Sequence, residues 1–310
     1  MTAARAVVRR PSRLAGFRSF VDRFSRRTDG VVGVAILAVF VILALAPALF
    51  VGQLENAVTA SGQPLDPPSA AHLFGTDELG RDMLNLTVHG ARISMVIGLL
   101  ATLITVVVGV GIGIISGFLG GRSDGFLMWL TDVFLVLPNL VLAIALAPIL
   151  LDIVGDQAEI LGIKAKLIVI VIVIGLTSWA TTARIIRSQV LSLKERAFVD
   201  RARVIGTGSG RIMRRHILPN IINLIVANTV LTFAGAILTE TTLSFVGLGD
   251  PFDPSWGQIL NAAQEAGAPG LLAWWYIAPP AVCVVLVVVA FTLVGNALDD
   301  VLNPKSGARR

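Results

Sequence analysis

The chain has 310 residues, of which 55% are hydrophobic and only 15% are charged, and its mean hydropathy is +0.81. Soluble globular domains usually carry about a quarter charged residues, so the composition excludes that class and indicates an integral membrane protein. The formal charge of +5 does not indicate nucleic-acid binding, because the basic residues lie beside apolar stretches, where membrane proteins commonly carry them.

Six apolar stretches are long enough for a helix to cross the hydrocarbon core of a membrane. In chain order they are residues 31–51, 93–121, 125–151 with Asp132 inside, 167–183, 217–239 and 266–298. The Ile-Val repeat of the fourth stretch favours a strand by propensity, but a lone strand in lipid leaves its backbone amides unsatisfied, so we predict a helix. In the second stretch, Gly113 and Gly117 have the spacing that lets two helices pack closely. These patterns predict an all-α membrane protein with six transmembrane helices.

The connections between these stretches differ sharply in charge. If alternate connections lie on the same side of the membrane, one side holds 21 of the 25 Lys and Arg residues. That side comprises residues 1–30, 122–124, 184–216 and 299–310. Because Lys and Arg accumulate on the cytoplasmic side, both termini are predicted to be cytoplasmic.

This topology divides the chain into four regions. Residues 1–30 form a basic cytoplasmic arm, and residues 31–92 comprise the first transmembrane helix and an external segment. Residues 93–298 form a five-helix core that contains a long cytoplasmic loop at 184–221, and residues 299–310 form a cytoplasmic tail. The arm is expected to contain an amphipathic helix that lies on anionic lipid, because apolar residues recur at helical spacing. These are Leu14, Phe17, Phe20, Val21 and Phe24.

Two acidic residues, Asp132 and Glu240, lie at membrane depth. Ionisable residues there often mark a transport pathway, but both positions are shallow, which favours structural pairing. An ion-coupled secondary transporter is expected to place such groups nearer the midplane, together with inverted repeats. The sequence leaves open whether these two residues are functional or structural.

No motif for catalysis or metal binding occurs in the sequence. The histidines His72, His89 and His216 are far apart, and neither a His-Glu-x-x-His zinc motif nor a Gly-x-Ser-x-Gly nucleophile motif is present. The glycine-rich stretch 206–210 lacks the Gly-Lys-Ser/Thr of a phosphate-binding loop. We therefore predict no catalytic, cofactor-binding or metal-binding residue in this chain.

The Arg-rich loop 184–221 carries a motif in two halves. Its sequence Asp-Arg-Ala-Arg-Val-Ile-Gly begins at residue 200, and His-Ile-Leu-Pro follows from residue 216. This resembles the Glu-Ala-Ala…Gly…Ile-x-Leu-Pro loop of permease subunits of binding-protein-dependent ABC importers, with Asp, Arg and His where the family has Glu, Ala and Ile. The resemblance implies an ATPase-coupling site formed by Asp200, Ala202, Gly206, Leu218 and Pro219.

The loop is predicted to form a compact protrusion. Gly206 accepts a positive φ at low cost, so it joins two short helices. Pro219 is expected to begin the fifth span, where its missing amide costs nothing.

Two further blocks narrow the resemblance to the C-type subunit of the dipeptide/oligopeptide permease family. The first is His-Leu-Phe-Gly-Thr-Asp-Glu-Leu-Gly-Arg-Asp at 72–82 with Gly-Ala-Arg-Ile-Ser at 90–94. The second is Leu-Ser-Phe-Val-Gly-Leu-Gly at 243–249 with Pro-Ser-Trp-Gly at 254–257. We expect the external segment 52–92 to be ordered and to help dock a binding protein.

The resemblance implies a type I ABC importer permease fold and a subunit that forms half of a path for di- or oligopeptides in the bacterial plasma membrane. The implied partners are a paralogous permease, two cytoplasmic ATPase subunits or domains that bind ATP and Mg²⁺, and an extracytoplasmic solute-binding protein. The chain itself is then neither an enzyme nor the holder of a cofactor. Alternatives are an importer for nickel, haem or glutathione, an ion-coupled secondary transporter, and a membrane scaffold without transport activity. The residues that line the path cannot be identified from the sequence.

Overall fold

The computed structural model describes residues 13–155, 158–160 and 163–302. This part of the chain is a bundle of helices, which confirms the all-α prediction. Five helices are long and apolar enough to cross a membrane, or six if a sharply bent pair counts as one span. The ends of the predicted basic arm and of the predicted tail, at 1–12 and 303–310, lie outside the described residues.

Most of the helices follow one another with short connections, apart from the long segment 52–82 between α3 and α4 and a small hairpin before α7. In chain order the helices are α1 (Arg13–Ser25), α2 (Thr28–Leu45), α3 (Ala48–Val51), α4 (Met83–Leu119), α5 (Gly121–Val136), α6 (Asn139–Val154), α7 (Ala165–Lys194), α8 (Ala197–Val204), α9 (Ser209–Ile212), α10 (Leu218–Leu243), α11 (Trp256–Glu265) and α12 (Trp274–Leu302). Before α7, the strands β1 (Glu159–Ile160) and β2 (Ile163–Lys164) pair antiparallel. π-helical turns, Met213–Ile217 and Ser244–Leu248, lie on either side of α10.

The bundle has two distinct ends. We name residues 52–82 the cap and residues 195–217 the knob. The cap lies where α4 begins, and the knob lies where α4 ends, because Phe118 near the end of that helix shares a hydrophobic cluster with knob residues. By the predicted orientation, the cap end is external and the knob end is cytoplasmic.

The predicted amphipathic helix of the arm is present as α1, and it folds back on the bundle. The Phe24 ring lies against Gly30 of α2, where a Cβ would be only 2.9 Å from Phe24 Cζ. Arg27 bridges Asp29 at 2.9 Å and Asp300 near the end of α12 at 2.7 Å. The described part of the arm is therefore tied to the knob end of the first and last spans.

The predicted limits of several spans are wrong. Helix α4 begins at Met83 rather than at 93, because Asp82 caps it by accepting a hydrogen bond from the Asn85 amide at 3.0 Å. Helix α7 continues past 183 to Lys194, and so takes up the first part of the predicted loop. At the last span, the turn after α11 occupies residues 266–273, where the span was predicted to begin, and α12 begins at Trp274. Apolar patterning locates the lipid-facing part of a helix, whereas caps and packing decide where the helix itself ends.

The third predicted span is not one straight helix. Helices α5 and α6 meet at an angle of 93°. Leu137 at the junction is extended, with φ −76° and ψ 127°, and Pro138 follows it. Proline supplies no amide hydrogen and pushes the preceding residue out of the helical region, so the hydrogen-bond ladder breaks there.

Helices α4 and α7 run parallel and in close contact, as the glycine spacing predicts. A Cβ on Gly113 would lie 2.7 Å from the Ala183 carbonyl oxygen, and a Cβ on Gly117 would lie 3.0 Å from Val190 Cβ. Real Cβ atoms do not approach carbonyl oxygens so closely. The glycines therefore allow the backbones of these two spans to touch.

Two ion pairs join α5 to α7 at the knob end. Asp124 accepts hydrogen bonds from both Nε and Nη2 of Arg187, each at 2.7 Å, and the two side chains are 20% and 29% exposed. Asp132 pairs with Arg184, but these side chains are 59% and 57% exposed. The first pair is therefore much less screened by water than the second.

We expect Arg187→Met to lower the free energy of unfolding by about 2 kcal/mol, because it leaves the half-buried Asp124 carboxylate without its two charged hydrogen bonds. The matched variant Arg184→Met should cost below about 1 kcal/mol, as exposed ion pairs generally do. Thermal unfolding of the purified variants in mild detergent measures the difference. Equal losses for the two variants would contradict this ranking.

Candidate coupling site

The knob is built on a tight turn between α8 and α9. Gly206 follows α8 with φ of +77°, a region that glycine favours. The Gly206 amide donates to the Arg203 carbonyl and the Thr207 amide donates to the Ala202 carbonyl, both at 2.9 Å. This pair of bonds is the Schellman arrangement that ends a helix and reverses the chain. The structure thus has two helices joined by Gly206, as the sequence predicts, but only α8 is short, because α9 is the first turn of a helical run that extends from Ser209 to Leu248.

A buried apolar cluster fixes the knob to the transmembrane helices. Ala202, one of the predicted site residues, is only 4% exposed and packs inside this cluster rather than facing outward. The cluster consists of Phe118, Ile186, Val190, Val199, Ala202, Ile212, Ile217 and Ile221. Because these residues come from α4, α7, the knob and α10, the cluster packs the knob directly against three long helices.

The outward face of the knob is apolar at its tip. Val204 and Ile205, directly before Gly206, are 88% and 79% exposed. A groove of about 500 Å³ runs beside them, and Asp200 and His216 also line it. The Asp200 side chain is 60% exposed and accepts a hydrogen bond from Arg203 Nη1 at 3.4 Å. Neighbouring aliphatic side chains that are held in water by a rigid turn are typical of a surface that binds a partner.

Val204 and Ile205 were not predicted as site residues. A signal for them is nevertheless present in the sequence, because they are two large aliphatic residues in a loop that is otherwise rich in Arg. Their position immediately before a glycine with positive φ places them at the tip of the turn. A comparison with the motif does not identify them, because the first half of the motif corresponds here to Asp200, Ala202 and Gly206.

The second half of the motif lies on the next helical turn. Leu218 is half-buried and Pro219 is exposed. The predicted start of the fifth span agrees with α10, which begins at Leu218 with Pro219 in its first turn, and the helical run continues back from there to Ser209. The π-helical turn before Pro219 widens the hydrogen-bonding pattern, so that the Leu218 amide bonds to the Met213 carbonyl. The wider turn accommodates the missing proline amide inside the helix, and Asn220 Nδ2 donates to the His216 carbonyl at 2.6 Å.

The two halves of the motif meet at one aromatic contact. The rings of Phe198 on α8 and His216 on the π-helical turn have centroids 6.3 Å apart. Both residues line the groove beside Val204 and Ile205. Asp200 and Ala202 line the groove, and Gly206 forms the turn directly after it. Leu218 and Pro219 continue the helix that carries His216 on the other side.

At the opposite end, the cap is an ordered segment fastened to α4. The Asn85 side chain donates to the Val51 and Gln53 carbonyls, each at 2.8 Å, and accepts a hydrogen bond from the Glu55 amide at 3.1 Å. Glu55 in turn accepts a hydrogen bond from the Asp82 amide at 2.8 Å. The cap therefore begins and ends at the same point on the bundle, and it agrees with the expectation that this segment is ordered.

The sequence blocks that carry the resemblance contact one another at the cap end. Trp256 donates from its backbone amide to Ser94 Oγ at 3.1 Å and from Nε1 to the Thr87 carbonyl at 3.0 Å. Trp275 Nε1 donates to the Thr76 carbonyl at 3.2 Å, which joins the cap to the last span. The cap also encloses a cleft of about 780 Å³ against α11 and the loop after α10. The Trp256–Ser94 hydrogen bond therefore joins the two sequence blocks directly.

The hairpin before α7 is fastened to the loop after α10. Lys164 Nζ lies 2.7 Å from an Asp253 carboxylate oxygen and 3.2 Å from an Asp250 oxygen, and it lies over the Phe252 ring at 5.3 Å. Burial lowers the pKa of the Lys164 ammonium, but the hydrogen bonds to Asp253 and Asp250 outweigh burial and raise the pKa above its usual value. The amine is therefore protonated at neutral pH, and the link is an ion pair.

The two acidic residues at membrane depth differ in their surroundings. Asp132 has the Arg184 partner described above, which fits structural pairing. Glu240 is fully buried and takes part in none of the ion pairs between described residues. Within the described ranges, no group of three or more His, Cys, Asp and Glu side chains is placed to hold a metal ion.

Comparison with known proteins gives consistent matches over most of the chain. The model of the family described as "Binding-protein-dependent transport system inner membrane component" matches residues 109–307. The dipeptide transport system permease protein DppC of Bacillus subtilis (strain 168) is 38% identical over 243 residues, which cover 77% of this chain and 70% of the relative. The oligopeptide transport system permease protein OppC of the same organism is 34% identical over 285 residues, which cover 91% and 88%. The dipeptide transport system permease protein DppC of Alkalihalophilus pseudofirmus is 33% identical over 292 residues, which cover 93% and 90%.

Proposed function

The chain belongs to the family of binding-protein-dependent transport system inner membrane components, and we propose that it forms half of a translocation path for di- or oligopeptides in an ATP-driven importer. It is a multi-pass protein of a bacterial membrane. The peptide substrate is supported by its relatives, since the similar proteins are named as dipeptide and oligopeptide transport system permeases.

The observation that carries the proposal is the knob, with two exposed aliphatic side chains on a rigid turn that is anchored in three long helices. In this proposal a cytoplasmic ATPase subunit binds the knob through Val204 and Ile205. The ATPase binds ATP and Mg²⁺, and its closure moves the knob and the helices attached to it. This chain supplies the mechanical connection and has no nucleotide site of its own.

The proposal assigns the other partners to the two ends of the bundle. A paralogous permease completes the path beside this chain, and a second ATPase subunit or domain serves that permease. A solute-binding protein delivers the peptide to the external face, where the cap and the cleft of about 780 Å³ provide an ordered surface. Both termini are cytoplasmic in this arrangement, as the distribution of Lys and Arg predicts.

The proposal is tested by peptide uptake in cells that lack other peptide importers. Cells that express this chain with its partner subunits should accumulate a labelled dipeptide or oligopeptide, and uptake should stop when ATP is depleted. Uptake that follows a proton or sodium gradient without ATP would contradict the proposal. Uptake of nickel, haem or glutathione in place of peptides would contradict its substrate assignment.

Replacing Val204 and Ile205 together by serine should reduce co-purification of the ATPase at least about a hundredfold. Burial of an aliphatic side chain contributes about 1.5–3 kcal/mol, and both side chains lose that contribution at the interface. The matched control is Val58→Ser, because Val58 is 93% exposed but lies in the cap. Quantitative co-purification in mild detergent measures both variants. Retention of the ATPase by the double variant would show that the apolar tip is not the binding surface.

A further inference from the structure

Glu240 presents a buried carboxyl group that the proposed function does not use. It lies near the end of α10 and is fully buried. Its Oε1 atom accepts a hydrogen bond from Ser244 Oγ at 2.9 Å, whereas Oε2 has no hydrogen-bond partner. A buried carboxylate is costly unless a positive charge compensates it, and no ion pair between described residues includes Glu240.

Hydroxyl groups from separate parts of the chain surround this carboxyl group. Besides Ser244, the polar side chains next to it belong to Ser94 of α4, Thr241 of α10 and Ser255 at the start of α11. Ser94 Oγ accepts from the Trp256 amide at 3.1 Å, and Ser255 Oγ accepts from the Gln258 amide at 3.2 Å. These two oxygen atoms are therefore held in place by the backbone rather than free to turn away.

A second unpartnered acceptor lies beside the same cluster. Gln258 Oε1 is buried without a hydrogen-bond partner. A Cβ on Gly249 would lie 2.7 Å from this atom and 3.0 Å from Ser244 Oγ, so the glycine leaves room between the two oxygens. The cluster therefore contains two buried acceptors without a hydrogen-bond partner, Glu240 Oε2 and Gln258 Oε1. The Ser94, Thr241 and Ser255 hydroxyl groups beside Glu240 either donate to its carboxyl group or turn their oxygens toward a cation. The missing partner is a hydrogen donor or a cation.

The backbone around the cluster favours positive charge. Helix α10 ends in a π-helical turn, and Gly247 within this turn has φ of +91°, which breaks the helix. The carbonyl groups at the end of a helix carry partial negative charge, and broken helices place such ends at cation sites in membrane proteins. The amides of Trp256 and Gln258 at the start of α11 already donate to Ser94 and Ser255, so they do not reach the carboxylate.

We propose that Glu240, Ser244 and the neighbouring hydroxyl and amide oxygens bind one Na⁺ ion in the interior of the bundle. An all-oxygen set of ligands suits a hard cation. One carboxylate neutralises one positive charge, so a monovalent ion leaves the buried site uncharged, whereas a divalent ion leaves a net charge of +1. The ion joins α4, α10 and α11 near the cap end. This inference does not rest on the proposed transport function.

The test is Na⁺ binding and thermal unfolding of the full chain, purified with its co-purifying partners in mild detergent. The unfolding midpoint is measured in NaCl and in choline chloride at equal ionic strength and fixed neutral pH. Na⁺ at about a hundredfold above its Kd should raise the midpoint by about 5–10 °C, since choline is too large for the site. Equilibrium dialysis with radioactive Na⁺ should find one bound ion per chain.

Glu240→Gln keeps the shape of the side chain and removes its charge. This variant should bind no Na⁺, and its midpoint should be the same in both salts. Asp132→Asn is the matched control, because Asp132 is also a carboxylate at membrane depth but is paired with Arg184. It should keep the full response to Na⁺. If Glu240→Gln does not fold, Ser244→Ala serves instead, and the Na⁺ concentration for the half-maximal shift should rise at least about tenfold.

Two results would overturn the proposal. If the wild-type unfolding midpoint is the same in NaCl and in choline chloride, and dialysis finds no bound Na⁺, the Glu240 carboxyl group carries its own proton and the site binds no ion. If Glu240→Gln responds to Na⁺ as the wild type does, the ion binds elsewhere.

Discussion

Gly206→Val is expected to reduce peptide uptake at least about tenfold while the amount of protein in the membrane stays near the wild-type level. The φ of +77° at Gly206 costs a β-branched residue about 1–3 kcal/mol, and a difference of this size changes the population of the native turn by one to two orders of magnitude. A Cβ at this position meets no atom of the chain within 4 Å. The effect therefore arises from the turn and from the partner surface, not from a clash inside the knob.

The matched control is Gly210→Val in α9. A Cβ there also meets no atom within 4 Å, and the φ of Gly210 is outside the left-handed region. This variant should transport nearly as well as the wild type. Co-purification of the ATPase then distinguishes two causes. If the ATPase no longer co-purifies with Gly206→Val, the variant has lost ATPase binding; if it still co-purifies, the variant has lost the coupling of ATP hydrolysis to uptake. Full uptake by a well-expressed Gly206→Val variant would remove the coupling assignment.

Gly113→Ile is expected to remove most of the folded protein from the membrane. The first carbon of the new side chain would lie 2.7 Å from the Ala183 carbonyl oxygen and 2.8 Å from Ile186 Cβ, so α4 and α7 have to separate. Overpacking of this kind costs about 1–3 kcal/mol, and the parallel contact along the two helices is lost as well. The measurement is the fraction of protein that elutes as a single species in mild detergent, together with its unfolding midpoint.

Gly111→Ile provides the comparison within the same helix. No atom of the chain lies within 4 Å of a Cβ at Gly111. Both substitutions replace glycine by isoleucine at almost the same position along α4. They differ mainly in the face of α4 that carries the new side chain. Equal losses for both variants would mean that β-branched residues destabilise α4 generally, and that contact with α7 is not the cause.

Local patterns were sufficient to predict the parts of the structure that depend on local chemistry. The apolar stretches predict where the membrane-spanning helices lie, because lipid contact is decided residue by residue. The spacing of Gly113 and Gly117 predicts close contact with another helix, which the structure identifies as α7, and the glycine after α8 predicts the reversal at the knob. In each of these cases a short stretch of sequence contains the physical reason for the structure.

The remaining features depend on contacts between distant residues. Proline is tolerated inside transmembrane helices, so the sequence does not distinguish the sharp bend before Pro138 from the continuous helix around Pro279. The oxygen cluster at Glu240 draws on residues as far away as Ser94. The tip residues Val204 and Ile205 become a site because the Schellman turn exposes them, and composition does not show exposure.

The close contact of α4 with α7 also has a mechanical consequence. Helix α7 has 30 residues without a break, so it is a rod of about 45 Å. Because the glycine seam joins it to α4 side by side, the two helices bend together as a stiff beam. A tilt of about 5° at one end of such a beam displaces the other end by about 4 Å. The glycine contact between α4 and α7 therefore determines how far a tilt of the knob end displaces the hairpin before α7. A side chain that weakens this contact makes the helix pair more flexible before it unfolds the protein.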